Sequence, residues 1–266
     1  MDELKNIWLP ECSEDYIKFL EPFGHTDKDY LRAHFSRFAG TFRKFSQGWN
    51  RDGDAVVLDV GAHWLHQSLL FAKNGFSVTA ADFPATMDQP AVRSLSEEFN
   101  IELLPYSEIH SGDAFAQVPD NSVDILLFTE ILEHITFNPI QFWQEVYRVL
   151  KPKSRIVLTT PNYYSADGRA WDLKRFLSGF GGGISNQDIL QTLTLGHHWK
   201  EYSLKEVCAY FRYLSSDFHI TRACLVDEKI QEIEGWRRYK KLLLPQIYCE
   251  IDLMQKLKGI EVAPTW

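Results

Sequence analysis

The strongest constraint on this chain lies between residues 50 and 75. The turn-forming NRDGD is followed by AVVLDVGA, an unbroken apolar run that closes on Asp59, Val60 and Gly61. WLHQSLLFAKNG comes next, with a helical pattern that stops at Gly75. An apolar run without alternation suits a strand buried on both faces, and such strands belong to parallel sheets covered by helices. The pattern then repeats. FSVTAAD (76–82) predicts a second strand and AVRSLSEEFN a helix, and the stretch 101–113 contains a third strand. VDILLF (123–128) predicts a fourth strand, NPIQFWQEVYRVLKP (138–152) a helix that Pro152 helps to end, and RIVLTTP (155–161) a fifth strand. Strands alternating with helices over about 110 residues predict an α/β, Rossmann-like doubly wound sheet, mostly parallel. SLKEVCAYFRYL (203–214) predicts a further helix. FHITRACLV (218–226) and PQIYCEIDLMQKL (245–257), around a helical EIEGWRRYKKLLL, predict an antiparallel hairpin at the sheet edge.

Two segments flank this frame. HTDKDYLRAHFSRFAGTFRKF (25–45) places Leu31, Phe35, Phe38, Phe42 and Phe45 at helical spacing. Residues 1–49 therefore read as an N-terminal helical segment that covers the pocket, with Arg37 or His34 facing it, and residues 50–266 as the α/β domain. Within that domain 162–200 loses the alternation and gathers Gly168, Gly179, Gly181, Gly182, Gly183 and Gly196. A stretch of that length over such a sheet is usually functional, here a lid or an acceptor wall.

Composition removes several classes. Lys and Arg number 28 against 36 Asp and Glu, a formal charge of -8. Nucleic-acid binding proteins leave a basic footprint, so nucleic acid is not the expected partner. Cys12, Cys208, Cys224 and Cys249 form no CxxC pair, which argues against a zinc knuckle or a thioredoxin-like site. Scattered reduced cysteines fit the cytoplasm. The start, MDELKNIWLPECSEDY, lacks the pattern of a signal peptide, and no run approaches the ~18 apolar residues of a membrane span.

Parallel α/β sheets bind ligands at the carboxyl ends of their strands, near the point where strand order reverses. The candidates are therefore Asp59-Val60-Gly61, Asp82-Phe83, Gly112-Asp113, Thr129-Glu130 and Thr160-Pro161-Asn162. A strand, a glycine and a helix make a nucleotide-binding arrangement, and Asp82 follows Gly61 by 21 residues, where a carboxylate accepts from both hydroxyls of an adenosine ribose. That geometry alone does not choose between NAD and S-adenosylmethionine. The turn does discriminate. A pyrophosphate needs several glycines for close backbone approach. Only Gly61 is present, and His63, Trp64 and His66 fill the rest. S-adenosylmethionine carries no phosphate, so the methyl donor is favoured.

LDVGA, TAADFP, SGDAFAQVPDNSVDILLFTEILEHI and VLKPKSRIVLTTPN, in this order over about residues 54–162, resemble the class I S-adenosylmethionine-dependent methyltransferases. EILEH (130–134), followed by RVLKP and TTPN, looks most like the branch of ubiquinone-pathway O-methyltransferases and many sugar and natural-product methyltransferases. GHHWKEYSLKEV (196–207) is similar more loosely. The chain departs from the family's GxGxG, carrying GAHWL instead. The resemblance implies that Asp59 and Gly61 bound the methionine end of the donor, with Ala62 and His63 lining the turn. It implies Asp82 on the ribose hydroxyls and Phe83 against adenine. Asp113 would accept from the adenine amino group, with Ala114 and Phe115 beside it, and Thr129 and Glu130 would lie beneath the sulfonium.

Glu130, Glu133 and His134 carry a second expectation. If a helical turn begins at Glu130, the i, i+3 and i+4 side chains share one face. Two carboxylates and an imidazole there could hold a divalent metal, Mg or Mn, with a further ligand from His197 or His198. The small-RNA 2'-O-methyltransferases are similar in having ExxEH with a distal His. The other reading makes His134 a general base, since an imidazole ordinarily titrates near neutrality, and Glu133 a structural or substrate-binding acid. The expected activity is O-methylation of a small-molecule or glycan acceptor, a sugar hydroxyl first, with His134 and Glu130 as catalytic residues. Tyr163, Tyr164, Trp171 and Trp199 supply aromatic faces for a sugar ring. The alternatives are an RNA 2'-O-methyltransferase with a metal site, which the acidic charge disfavours, and a non-catalytic methyltransferase-like binding subunit. RRYKK (237–241) reads as a solvated helix face.

Overall fold

The computed structural model describes residues 7–24, 27–49, 55–109, 114–166, 169–171, 177, 198–233 and 238–262. A seven-stranded sheet runs through them in the order β3-β2-β1-β4-β5-β7-β6. The strands are β1 (Val56–Val60), β2 (Ser77–Asp82), β3 (Glu102–Pro105), β4 (Val123–Thr129), β5 (Leu150–Pro161), β6 (Phe218–Val226) and β7 (Gln246–Leu253). β1 to β5 pair in parallel. β7 runs antiparallel to both β5 and β6, which is the expected edge hairpin.

Burial on both faces explains the apolar runs. Val57 of β1 and Ile125 and Leu127 of β4 enter one core layer, while Leu58, Leu126 and Phe128 enter the other. The first layer is closed by α1 (Ser13–Leu20), α2 (Lys28–Gly48), α3 (His66–Ala72), α4 (Pro84–Met87) and α5 (Pro90–Phe99). The second is closed by α6 (Ile140–Val149) and α7 (Leu204–Leu214) around fully buried Phe142, Trp143 and Phe211. Full burial of each such aromatic stabilises the fold by roughly 1.5–3 kcal/mol. The indole N–H of Trp143 donates to the Tyr210 hydroxyl at 2.7 Å, so its polar edge is not left dry. Leu31, Phe35, Phe38, Phe42 and Phe45 of α2 are all buried, as their spacing predicts. Tyr16 of α1 donates its hydroxyl to the carbonyl of His66, tying the N-terminal helices to the first turn of α3.

Two boundaries differ from expectation. α6 stops at Val149, and β5 starts at once rather than at Arg155. Val123 pairs with Leu150 and Ile125 with Arg155, so four residues of β5 face the single Asp124. In that bulge Pro152 loses no ladder hydrogen bond. Lys151 and the amide of Val56 both donate to Asp124 and hold it shut. Between β6 and β7 the described residues include a short helix, α8 (Arg238–Lys241), with 234–237 of the expected helix outside them. Most of 162–200 lies outside the described residues. Among the described residues no helix is long and apolar enough to cross a membrane.

Candidate active site

β1 passes to β2 on one side and β4 to β5 on the other, so a crevice opens between their carboxyl ends. The larger part of this cleft is about 480 Å³, lined among others by Gly61, Asp82, Phe83, Tyr106, Glu130 and His134. A narrow lobe of about 70 Å³ continues it past Gly61 to Asp59, Tyr30, Arg37, Gln67 and Thr129. The first size is that of a small-molecule site.

The turn after β1 is the most unusual stretch of backbone. Gly61 has φ +74°, which favours glycine, and a Cβ there would lie 2.1 Å from Ile131 Cδ1 and force that side chain to move. His63 and Leu65 also take positive φ, 47° and 63°. Such strain persists only where the surroundings hold it, and it clusters at functional sites. Here Asp82 does the holding. Its Oδ2 accepts the N–H of His63 at 2.7 Å and its Oδ1 the N–H of Phe83 at 2.6 Å. The amides of Gly61 and Ala62 both donate to the carbonyl of Ala81. The bulky residues that replace glycines pack against α2: the ring of His63 is 4.9 Å from that of Tyr30, and His66 stacks on Tyr30. The N-terminal helix thus takes up the bulk of GAHWL. Burial holds the His63 imidazole below its ordinary value, and its Nδ1 is buried without a hydrogen-bond partner among the described residues.

Asp59 is 1% exposed and accepts from Ser68 Oγ at 2.6 Å. Burial pushes its carboxyl up to about 7, against the opposing Ser68 bond. Thr129 ends β4 on the wall of the narrow lobe. Ala114 and Phe115 are buried in the core layer under α6, with Phe115 5.8 Å from the ring of Phe142, a residue of the cleft wall. Asp113 and His197 lie outside the described residues.

The expected helical face of Glu130, Glu133 and His134 does not form. Glu130 has φ +56°, outside any right-handed helix, and only Leu132–His134 make a 3₁₀ turn. Its amide donates to the carbonyl of Thr159 and its carboxylate turns to Arg37, 3.2 Å from Nη1. With its amide nitrogen facing acceptors, Gln246 donates to the other Glu130 oxygen at 3.1 Å. Glu130 is therefore not among the metal-type ligands. Glu133, His134 and His198 do come together, their ligand atoms all within 4.8 Å of one another. Glu133 is 0% exposed and accepts from Thr160 Oγ1 at 2.9 Å. Burial, with the charge of Glu130 adding, pushes its carboxyl well above the usual range. The amide of Trp199 donates to the Glu133 carbonyl at 2.8 Å and pins residues 198–200 to this turn. Beside them a shallow cleft of about 540 Å³ is lined by Tyr163, Tyr164, Trp199, Lys200 and Glu201.

Tyr30, Tyr106, Gln246 and Glu201 are site neighbours that the sequence did not single out. Tyr106 follows the last residue of β3 and had the same strand-end signal as Asp82. Tyr30 shares a helix face with His34 and Arg37 by spacing. Gln246 opens β7, and nothing in the sequence points to it.

Residues 58–158 match the family model of a methyltransferase domain. No curated protein matches the sequence. Among solved structures, the chain is similar to one from the complex between the Haloferax volcanii Trm112 methyltransferase activator and a methyltransferase. That likeness has a TM-score of 0.58 at 11% identity, covering 93% of this chain and 99% of the other. Burkholderia thailandensis 1,6-didemethyltoxoflavin-N1-methyltransferase, with bound 1,6-didemethyltoxoflavin and S-adenosylhomocysteine, gives 0.56 at 16% identity, covering 91% and 87%. The PH0226 protein from Pyrococcus horikoshii OT3 gives 0.53 at 14% identity, covering 86% and 92%. At these identities the likeness concerns the fold.

Proposed function

We propose that this chain, a class I S-adenosylmethionine-dependent methyltransferase by its matched domain and its fold, methylates a hydroxyl oxygen of a small polar acceptor, a sugar first. The residues present fit the donor. Gly61, in its left-handed turn, stands between the two lobes of the cleft. Nδ1 of His63, without a hydrogen-bond partner among the described residues, lies on the same wall. Asp82 would hold the ribose hydroxyls with the lone pairs that its two amide partners leave, and Phe83 and Tyr106 would flank adenine. In the narrow lobe Arg37 would meet a carboxylate and Asp59 an ammonium, the two ends of an amino acid. When bound, the donor supplies an already activated methyl on a cationic sulfur. The protein's own task is then to align the acceptor and manage its proton.

His134 carries the oxygen reading. It lines the cleft beyond Glu130, and its Nε2 lies 4.0 Å from the buried Glu133 carboxyl. A hydroxyl must lose its proton as the new bond to carbon forms, and this pair stands where that proton leaves. The aromatic cleft beside it supports a sugar, whose ring faces pack on Tyr163, Tyr164 and Trp199. The free cysteines support a reducing compartment, the cytoplasm. The test is methyl transfer from labelled donor to a panel of sugars, phenols and amines. A hydroxyl acceptor should emerge, and His134→Ala should lower turnover by about 10²–10⁴ with donor affinity little changed. Full activity in His134→Ala, or transfer confined to amines, contradicts the proposal.

A further inference from the structure

Beside the cleft, Glu133, His134 and His198 face one another, their ligand atoms all within 4.8 Å. The rings of His134 and His198 are 4.9 Å apart and nearly perpendicular, at 87°. Glu133 spends Oε2 on Thr160, while its Oε1 is fully buried with no hydrogen-bond partner among the described residues. Such an unsatisfied buried oxygen is destabilising. It points at two imidazoles, and a cation between them would remove that cost.

We propose that Glu133, His134 and His198 bind one divalent transition-metal cation. Two imidazoles and one carboxylate are the donors of zinc, iron or cobalt sites, whereas magnesium and calcium prefer oxygen alone. Three protein ligands leave a coordination position open, the hallmark of a catalytic rather than a structural site. Ligand atoms around such an ion lie about 3.4 Å apart, from bond lengths near 2.1 Å, so the cluster closes on the metal by about an ångström. The outer shell is present. Glu201 stands 3.5 Å from Nδ1 of His198, in the place of a carboxylate that orients a metal-binding imidazole. Thr160 fixes Glu133, and the Trp199 amide joins the segment carrying His198 to the turn carrying the other two ligands. Glu130 is excluded, since Arg37 and Gln246 already hold it.

Binding of the ion does not depend on the functional reading, but its use does. His134 also lines the donor cleft, so the open position lies toward the acceptor. With the ion bound, His134 and Glu133 serve as ligands in place of the proton acceptor proposed above, because the cation itself acidifies a coordinated hydroxyl. Its proton passes to water, the oxygen–carbon bond forms, and the carbon–sulfur bond breaks with its electron pair left on sulfur.

The experiment titrates the full, chelator-stripped chain with Co²⁺ in the absence of donor and follows visible absorption, with Zn²⁺ as competitor. The expected result is one Co²⁺ per chain, displaced by Zn²⁺. Affinity should fall by about 10²-fold or more in His198→Ala and Glu133→Gln and hold in Glu130→Gln. Circular dichroism checks that each variant is folded. Absence of stoichiometric binding, or equal binding in all three variants, overturns the site. Neither result touches the functional reading, because no turnover is measured.

Discussion

Asp59 provides the most quantitative test, because its environment predicts a pH dependence with a definite sign. In an unfolded chain its carboxyl titrates near 3.9. In the folded protein burial pushes it up to about 7. Between those values the native state keeps a proton that the unfolded chain has lost. The stability contributed by Asp59 is therefore fully present below about pH 4 and is lost as pH rises through 7. Each pH unit of that window is worth about 1.4 kcal/mol, so the whole amounts to about 4 kcal/mol, of which about 3 lie between pH 5 and 8. Asp59→Asn removes the titration and keeps an acceptor for Ser68 Oγ. Urea unfolding of both proteins at pH 5 and pH 8 should show the variant gaining about 3 kcal/mol relative to the parent between the two, all other groups cancelling in the comparison. A cationic ammonium beside Asp59 would also expel its proton. Donor binding at pH 7 should then release about half a proton, read by calorimetry in buffers of different ionisation enthalpy, and none in the variant. A stability gap that is the same at both pH values would refute the burial argument.

Gly61→Ala forces a Cβ onto Ile131 at a positive φ and should destabilise the fold by about 1–3 kcal/mol and weaken donor binding at least about tenfold. Wild-type donor affinity in a folded Gly61→Ala protein would rule out the cleft as the donor site. Ser203→Ala removes the capping box of α7 and should cost about 1 kcal/mol in urea unfolding while leaving donor affinity unchanged. A coupled loss of donor binding would show that α7 is linked to the site in a way the structure does not contain.

The strand ends were the readable part of this protein. Unbroken apolar runs can sit only in a sheet covered on both faces, and that alone located Asp59, Asp82 and Glu130 at one edge. The expected antiparallel hairpin also formed, as β7 between β5 and β6. Spacing failed where the backbone left regular geometry. Glu130, Glu133 and His134 would share a face only in a helix, and the positive φ of Glu130 sends its carboxylate to Arg37 instead. That choice depends on α2, 93 residues earlier, and on Gln246, which local pattern cannot see. The departure of GAHWL from the glycine pattern has the same kind of cause. His63 within it, and His66 just after it, are explained by Tyr30, which lies against both.

Calorimetric titration of the full chain with S-adenosylhomocysteine, repeated on Asp82→Ala, tests donor binding at the strand ends most directly. The parent should bind one ligand per chain. The variant loses hydrogen bonds to a charged group, worth about 1.5–3 kcal/mol, and should bind about 10- to 150-fold more weakly. No binding at millimolar ligand, or equal affinity in the two proteins, would contradict it.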